Sequence, residues 1–324
     1  MWYEWYGDEG ERPYVKVTMK VTAETFVRKY EESTGKKAKL ADTPGYPNQV
    51  LQKNERETVD IDNYRSLVGK LLFYIVKVAP DCANVGRDLA RHMANPGTGH
   101  WKAMGRMAGY LKGKNLHGHM MKAPKNLSVV NYTDASYGVK SVSGSICTIG
   151  GIVTDWGSRT QKITTLSSTE SEYIALGECG QDLKFVSMLL KEIGVGEVPG
   201  TIFEDNEGAI FLAKNQQVSM CTKHIDVHYH FIRDLVEEGL LKLEYVGTDE
   251  NHADFMTKNA SKDTLRKLFT EGVQSGNIVI ERENVGHGRF EECKSNGEKA
   301  EIKAEEKKRP EQVSIIDATR KDRD

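Results

Sequence analysis

Between residues 60 and 113 apolar side chains recur every three or four positions. In IDNYRSLVGKLLFYIVKVA, Tyr64, Leu67, Val68, Leu71, Leu72 and Ile75 share one face, which predicts a helix capped by Asp60 or Asp62. After the breaker NPGTG, HWKAMGRMAGYLKG sets Trp101, Met104, Ala108 and Leu111 on one stripe, better read as core than as a platform for bases. Lys102, Arg106 and Lys112 fall outside that stripe, so a packed side and a basic side are expected. Upstream, PYVKVTMKV alternates like a strand, AETFVRKYEEST suits a short helix, and ADTPGYPNQV is irregular. The aromatic cluster Trp2, Tyr3, Trp5 and Tyr6 is either a strand interior to something larger or a local packing unit.

From about residue 126 the period changes to two. NLSVVNYTD, VSGSICTIGG and IVTDWGS predict three strands with glycine-rich turns, the first ending at Asp134. A long helix is expected from Thr169 to Ile193, with Ile174, Phe185, Met188, Leu189 and Ile193 apolar. Gly177 and Gly180 lie inside it, each at a cost of roughly 1 kcal/mol relative to alanine. GTIFED then predicts a strand ending at Asp205, NEGAIFLAKN and CTKHIDVHYHFIRDLVEEG two helices, and LLKLEYV a strand. DENHADFMTKN turns from loop into a short helix, and SKDTLRKLFTEG adds further helical packing. This order predicts an α/β domain with a mixed sheet, antiparallel first and parallel through its crossovers. Three segments are expected: a small, mainly helical one at 1–122, the α/β domain at 123–272, and a charged, disordered tail at 273–324.

Composition narrows the class. Net charge is −2 over 324 residues, but Arg87 to Lys125 holds eight Lys or Arg against Asp88 alone, with four histidines. Such a run is either a solvated face or a surface that follows phosphates. Five scattered cysteines without a C-x-x-C suggest buried thiols in a reducing compartment. No apolar run reaches the length of a membrane span, and MWYEWYGDEG lacks the features of a signal peptide, so an intracellular protein without a membrane partner is expected.

Four acids stand at element ends: Asp134, Glu172, Asp205 and Asp254. Sites in α/β sheets form beyond the carboxyl ends of neighbouring strands, so these four could converge. Grouped carboxylates repel, and divalent cations such as Mg²⁺ relieve that repulsion; two such ions about 4 Å apart clamp a phosphoryl displacement. Each acid also has a plain alternative. Asp134 could close a strand, Asp205 could cap NEGAIFLA, Asp254 could cap FMTK, and Glu172 could belong to a capping box with Thr169. Ser167 and Glu170 form a second such box, leaving open which glutamate of LSSTESEYIAL is chemistry.

YTDAS, DWGSRTQKITTLSSTESEYIAL, FEDNEGAI, KHIDVHYHFIRD and ENHADFMTK, in this order, resemble the ribonuclease H domain of copia-type retrotransposon Pol polyproteins. NYRSLVGKLLFYIVKVAPD and HWKAMGRMAGYLKG resemble the segment that joins reverse transcriptase to that domain, so the likeness covers about residues 14–270. It implies a ribonuclease H-like five-stranded mixed sheet flanked by helices. It also implies endonucleolytic cutting of the RNA strand of an RNA–DNA hybrid with two Mg²⁺ ions, for which Mn²⁺ can substitute. The ligands carry over to Asp134, Glu172, Asp205 and Asp254, with Glu172 opening the family's E-x-x-A-L run and Glu170 left as the cap. The remainder of a Pol polyprotein is an implied partner, and cytoplasmic particles with later nuclear entry an implied setting.

Two departures qualify the likeness. The loop VGTDENHAD is short and offers only His252, where many ribonucleases H carry a histidine well before the last aspartate. No Y-x-D-D-like turn occurs, so no polymerase activity is expected. A catalytically inactive, nucleic-acid-binding fragment of a decayed retroelement is the competing reading. Expected nucleic-acid contacts are Arg87, Arg91, Lys102, Arg106, Lys112, Ser136, Asn206 and His224, with Thr169 and Gln161 also near the acids. Cys221, His224, His228 and His230 offer a rival zinc reading, which lacks the second cysteine of a finger.

Overall fold

In the computed structural model, described for residues 1–7, 13–54, 59–124, 126–214 and 226–274 (the side chains of 226–230 and 274 apart), two sheets share the chain. The first is a three-stranded antiparallel sheet of β1 (Trp2–Tyr6), β2 (Tyr14–Thr18) and β3 (Gly118–Lys122), in the order β1-β2-β3. Between β2 and β3 run α1 (Lys20–Thr34), α2 (Ile61–Val78), α3 (Ala83–Ala90) and α4 (Thr98–Gly113). The pattern of α2 holds: Asp60 caps it by accepting from the Asn63 N–H, and Tyr64, Leu67, Val68 and Leu71 are buried. Met104, Ala108 and Leu111 of α4 are buried as well, with Trp101 packed beside them. The segment is thus less purely helical than the sequence suggests. GHMMK lacks the β-branched residues that mark a strand, but Gly118 lets it lie against β2; a Cβ there would sit 1.8 Å from the Val17 carbonyl oxygen.

The second sheet has five strands in the order β6-β5-β4-β7-β8: β4 (Val129–Ser136), β5 (Val142–Ile149), β6 (Ile152–Thr160), β7 (Gly200–Glu204) and β8 (Leu241–Tyr245). β4, β5 and β6 pair antiparallel, whereas β7 joins β4 in parallel and β8 joins β7 in parallel. Crossovers are supplied by α5 (Ser168–Glu192), then by α6 (Glu207–Lys214) and α7 (Asp226–Glu237). This is the expected mixed five-stranded sheet flanked by helices. α8 (Asp254–Thr257), α9 (Lys262–Leu265) and a π-helical stretch, Arg266–Gln274, complete the described chain.

Alternation along the strands gives the sheet two apolar faces. Val129, Cys147, Ile202, Leu241 and Leu243 pack against α5, α6 and α7. Val130, Tyr132, Ile146 and Val153 face the other way and join one core with Leu67, Met104, Phe255 and Phe269. The boundary expected near residue 122 falls where the chain changes sheet, between β3 and β4, yet the core is continuous across it. Residues Met1–Ile280 form a single compact unit. The expected tail lies outside the described residues, Val273 and Gln274 apart.

The expected long helix is present as α5, and of its apolar residues Ile174 is buried. Leu183, Val186 and Leu190 are buried, while Phe185, Met188, Leu189 and Ile193 are exposed. Gly180 lies on the buried face, where a Cβ would meet Ile232 Cδ1 at 2.4 Å, so glycine lets α7 press close to α5. Cys82, Cys147 and Cys179 are buried free thiols. Among the described residues no helix is long and apolar enough to cross a membrane.

Candidate active site

Tyr132 pairs with Phe203 in the parallel β4–β7 ladder. Two residues further along each strand come Asp134 and Asp205, at the same level and at the carboxyl ends of neighbouring parallel strands. Glu172 arrives from the first turns of α5. One carboxylate oxygen from each of these three residues lies within 4.8 Å of the others. Asp254, the first residue of α8, is buried at the border of this group, and its charge raises the pKa of Asp134.

The N-terminus of α5 separates its two glutamates by role. Ser167 Oγ accepts the Glu170 N–H at 3.1 Å, and Glu170 reaches back to the Leu166 N–H, one residue beyond the partner of the usual capping box. Glu172 makes no such box with Thr169. It accepts a hydrogen bond from the Ala135 N–H of β4, and its Oε2 is buried without a partner. Asp205 is not the cap of α6 either, since Asn206 Oδ1 takes the Ala209 N–H at 3.0 Å. Thr169 packs against Gly208, which brings the starts of α5 and α6 together.

The electrostatics are those of crowded, dehydrated acids. Burial, with the charges of Asp205 and Asp254, raises the Asp134 carboxyl to about 7, against a hydrogen bond from Thr257 that favours its charged form. Burial, followed by the charges of Asp134 and Asp205, raises Glu172 to about 9. Glu204, which sequence reasoning passed over, is a further member. It is wholly buried, with Oε1 accepting the Asn206 N–H at 3.1 Å and Oε2 unpartnered, and burial holds its pKa well above the carboxylate range. Its signal was its place beside Asp205 in FEDNEGAI. Thr257 and Lys258 were also passed over: Lys258 Nζ lies 2.5 Å from Asp254 Oδ1. Gly144, opposite Asp134 in β5, leaves room for α8, since a Cβ would meet Thr257 Cγ2 at 2.7 Å.

A set of carboxylate oxygens without nitrogen or sulfur suits a hard cation such as Mg²⁺ or Mn²⁺, and the unpartnered Glu172 Oε2 is an oxygen such a cation would satisfy.

The expected nucleic-acid contacts are distributed differently. Arg87 turns inward, giving hydrogen bonds to Ser158 Oγ, Thr160 Oγ1 and Asn84 Oδ1, and so ties α3 to β6. Arg91 pairs with Asp88, and Lys112 with Glu31. Arg106 bonds to Gly45 O and Thr43 Oγ1 and lies over the Tyr46 ring. Arg87 and Arg106 are half-buried in these contacts, whereas Arg91 and Lys112 keep exposed side chains in their ion pairs. Lys102 is exposed, and Ser136 is half-buried at the end of β4. Gln161 is buried scaffold, giving Nε2 hydrogen bonds to Ser143 Oγ and Ser171 O. His252 packs edge-on to Tyr132 with Nδ1 at 3.0 Å from Leu268 O. His224 and Cys221, and the side chains of His228 and His230, lie outside the described residues.

No family model matches the chain. It is 35% identical over 217 residues to the Retrovirus-related Pol polyprotein from transposon TNT 1-94 of Nicotiana tabacum, a match covering 65% of this chain and 16% of that protein. Against the corresponding polyprotein from transposon RE1 of Arabidopsis thaliana it is 34% identical over 241 residues, covering 72% of this chain and 16% of the relative. The chain thus spans about a sixth of the length of these relatives. Among solved structures, LC11-RNase H1, isolated from compost, is 18% identical with a TM-score of 0.34, over 40% of this chain and 93% of that one.

Proposed function

This chain is a homologue of the copia-type retrotransposon Pol polyproteins, and from that premise we propose that it is a ribonuclease H, cutting the RNA strand of RNA–DNA hybrids. The observation that carries the reading is the meeting of Asp134, Glu172 and Asp205 within 4.8 Å, from three separate elements, at the carboxyl ends of two parallel strands. Asp254 completes the set beside them. Two Mg²⁺ ions held there would supply an activated water and neutralise the departing oxygen of a phosphodiester.

The residues of the chain prepare that geometry. Thr257 donates to Asp134 Oδ2 and so fixes which carboxylate oxygen faces the site. The Ala135 N–H orients Glu172, and Asn251, bonded to Thr133 O at 2.8 Å, ties the loop before Asp254 to β4. Ser136 and Asn206 flank the acids and would meet sugar hydroxyls; with Oδ1 committed to capping, Asn206 would offer its NH₂ group. Of the expected cations Arg91, Lys102 and Lys112 are exposed, and since Arg91 and Lys112 already pair with Asp88 and Glu31, Lys102 would be the readiest to meet phosphates. Recognition would rest on hybrid shape and 2′-hydroxyls, with little reading of sequence. The setting is intracellular, alongside the remainder of a Pol polyprotein.

The test is cleavage of a hybrid with each strand labelled. The expected result is Mg²⁺-dependent cutting of the RNA strand alone, abolished by Asp205→Asn. Binding of hybrid without cutting would establish instead the silent fragment of a decayed element, and full activity in Asp205→Asn would remove that residue from the site.

A further inference from the structure

The four acids are not equivalent. Asp134, Glu172 and Asp205 each bring one carboxylate oxygen within 4.8 Å of the others. Asp254 is already paired, since Lys258, one turn further on, brings Nζ to 2.5 Å from its Oδ1. The Asp254 side chain is 6% exposed and that of Lys258 46%, so the ammonium enters from solvent and its stem stays free to leave. Asp254, Asp134 and Asp205 all act on the Lys258 ammonium, and Lys258 in turn acts on Glu172. One tethered cation therefore stands where the acid group opens to water.

Resting on the metal-binding reading above, we propose that Lys258 is the resident counter-cation of Asp254, and that a second divalent ion binds only by displacing it. The group of three acids is then the first and tighter cation site. The second site, which needs Asp254, must compete with an ammonium held beside it by the chain. Lysine suits that part: its charge is compact, its donors rotate, and its flexible stem can swing outward without disturbing α8. Once displaced, the ammonium stays within reach of the open side of the site. Lys258 acts through Asp254 and is a positioning residue.

Mn²⁺ binding to the full chain, followed by calorimetry and by the paramagnetic resonance of the free ion, tests this without a turnover assay. Wild-type protein is expected to take up two ions with unequal affinity. In Lys258→Met the second site should tighten by about tenfold or more, or become measurable where it was not; that is the size of removing one unit charge about 5 Å from a divalent ion even in a water-like dielectric. The first site should change much less, and Lys258→Arg should stay within about threefold of wild type because it restores the pair with Asp254. Circular dichroism of both variants checks that the fold is kept. A second site unchanged or weakened in Lys258→Met overturns the proposal while leaving the three-acid site standing. No Mn²⁺ uptake by wild type, or uptake unaffected by Glu172→Gln, overturns the metal-binding reading and this inference with it.

Discussion

The Thr257 hydroxyl donates a hydrogen bond to Asp134 Oδ2, joining α8 to the end of β4 across 123 residues of sequence. Thr257 is buried, and its oxygen also lies 3.0 Å from Asp254 O. A charge-assisted bond of this kind contributes about 1.5–3 kcal/mol, mostly by leaving the acceptor unpaired when it is lost. Thr257→Val should lower kcat on the hybrid by about tenfold or more, and Thr257→Ser should restore most of it. Steady-state kinetics on the two variants distinguish the hydroxyl from the methyl group that packs on Gly144.

Removing divalent cations should make stability depend on pH in a set direction. The folded carboxyls of Asp134 and Glu172 are raised to about 7 and about 9, above their ordinary values of 3.8 and 4.5. Their contribution is fully present below the ordinary values and is lost as pH rises through the folded ones. Thermal melts in chelator should therefore fall progressively from about pH 4 to pH 9. Added Mg²⁺ should raise the melting temperature most at the alkaline end, where both acids must otherwise be charged together. Melts in chelator that do not fall over this range would contradict the crowding of these acids.

Arg87 offers a contrast between packing and phosphate binding. Its guanidinium gives three hydrogen bonds, two of which bridge α3 to β6 while the third stays within α3 at Asn84. Arg87→Met should destabilise the fold by about 2–3 kcal/mol in urea denaturation, since bonds to a charged group are lost and their partners stranded. The salt dependence of hybrid binding should not change, whereas a lost phosphate contact would lower that slope by about one unit.

The phase of α5 can be checked by neighbouring leucines. Leu190 is 5% exposed and Leu189 45%. Leu190→Ala should cost about 2–5 kcal/mol, and Leu189→Ala within about 0.5 kcal/mol of nothing, both read from denaturant midpoints.

Much of this was legible in the letters because long periodic segments state their own geometry. α2, the strands β4 to β7 and the placing of Asp134 and Asp205 at strand ends follow from alternation and helical spacing alone. What escaped did so for tertiary reasons. The α5 helix carries apolar residues on two faces, and the one that is inside is the one that meets α6, α7 and the sheet, with Gly180 against Ile232. β3 exists because β2 pairs with it, not through its own propensity. Arg87, Arg106 and Lys112 stand out in a basic run of the sequence, but their partners Ser158, Thr160, Thr43 and Glu31 are distant in the chain. Thr257 and Lys258 follow Asp254 in an ordinary helical turn, and their meaning appears only when Asp134 is placed beside them.

The most direct measurement sets the two glutamates of α5 against each other in hybrid cleavage. Glu170 caps the helix through the Leu166 N–H, whereas Glu172 stands with Asp134 and Asp205. With Mg²⁺ saturating, Glu172→Gln should lose RNA-strand cutting by about a thousandfold or more, the scale of removing a preorganised electrostatic group. Glu170→Gln should keep near-normal turnover with a modest loss of thermal stability. Full cutting by Glu172→Gln, or an equal loss in both variants, would contradict the assignment of this site.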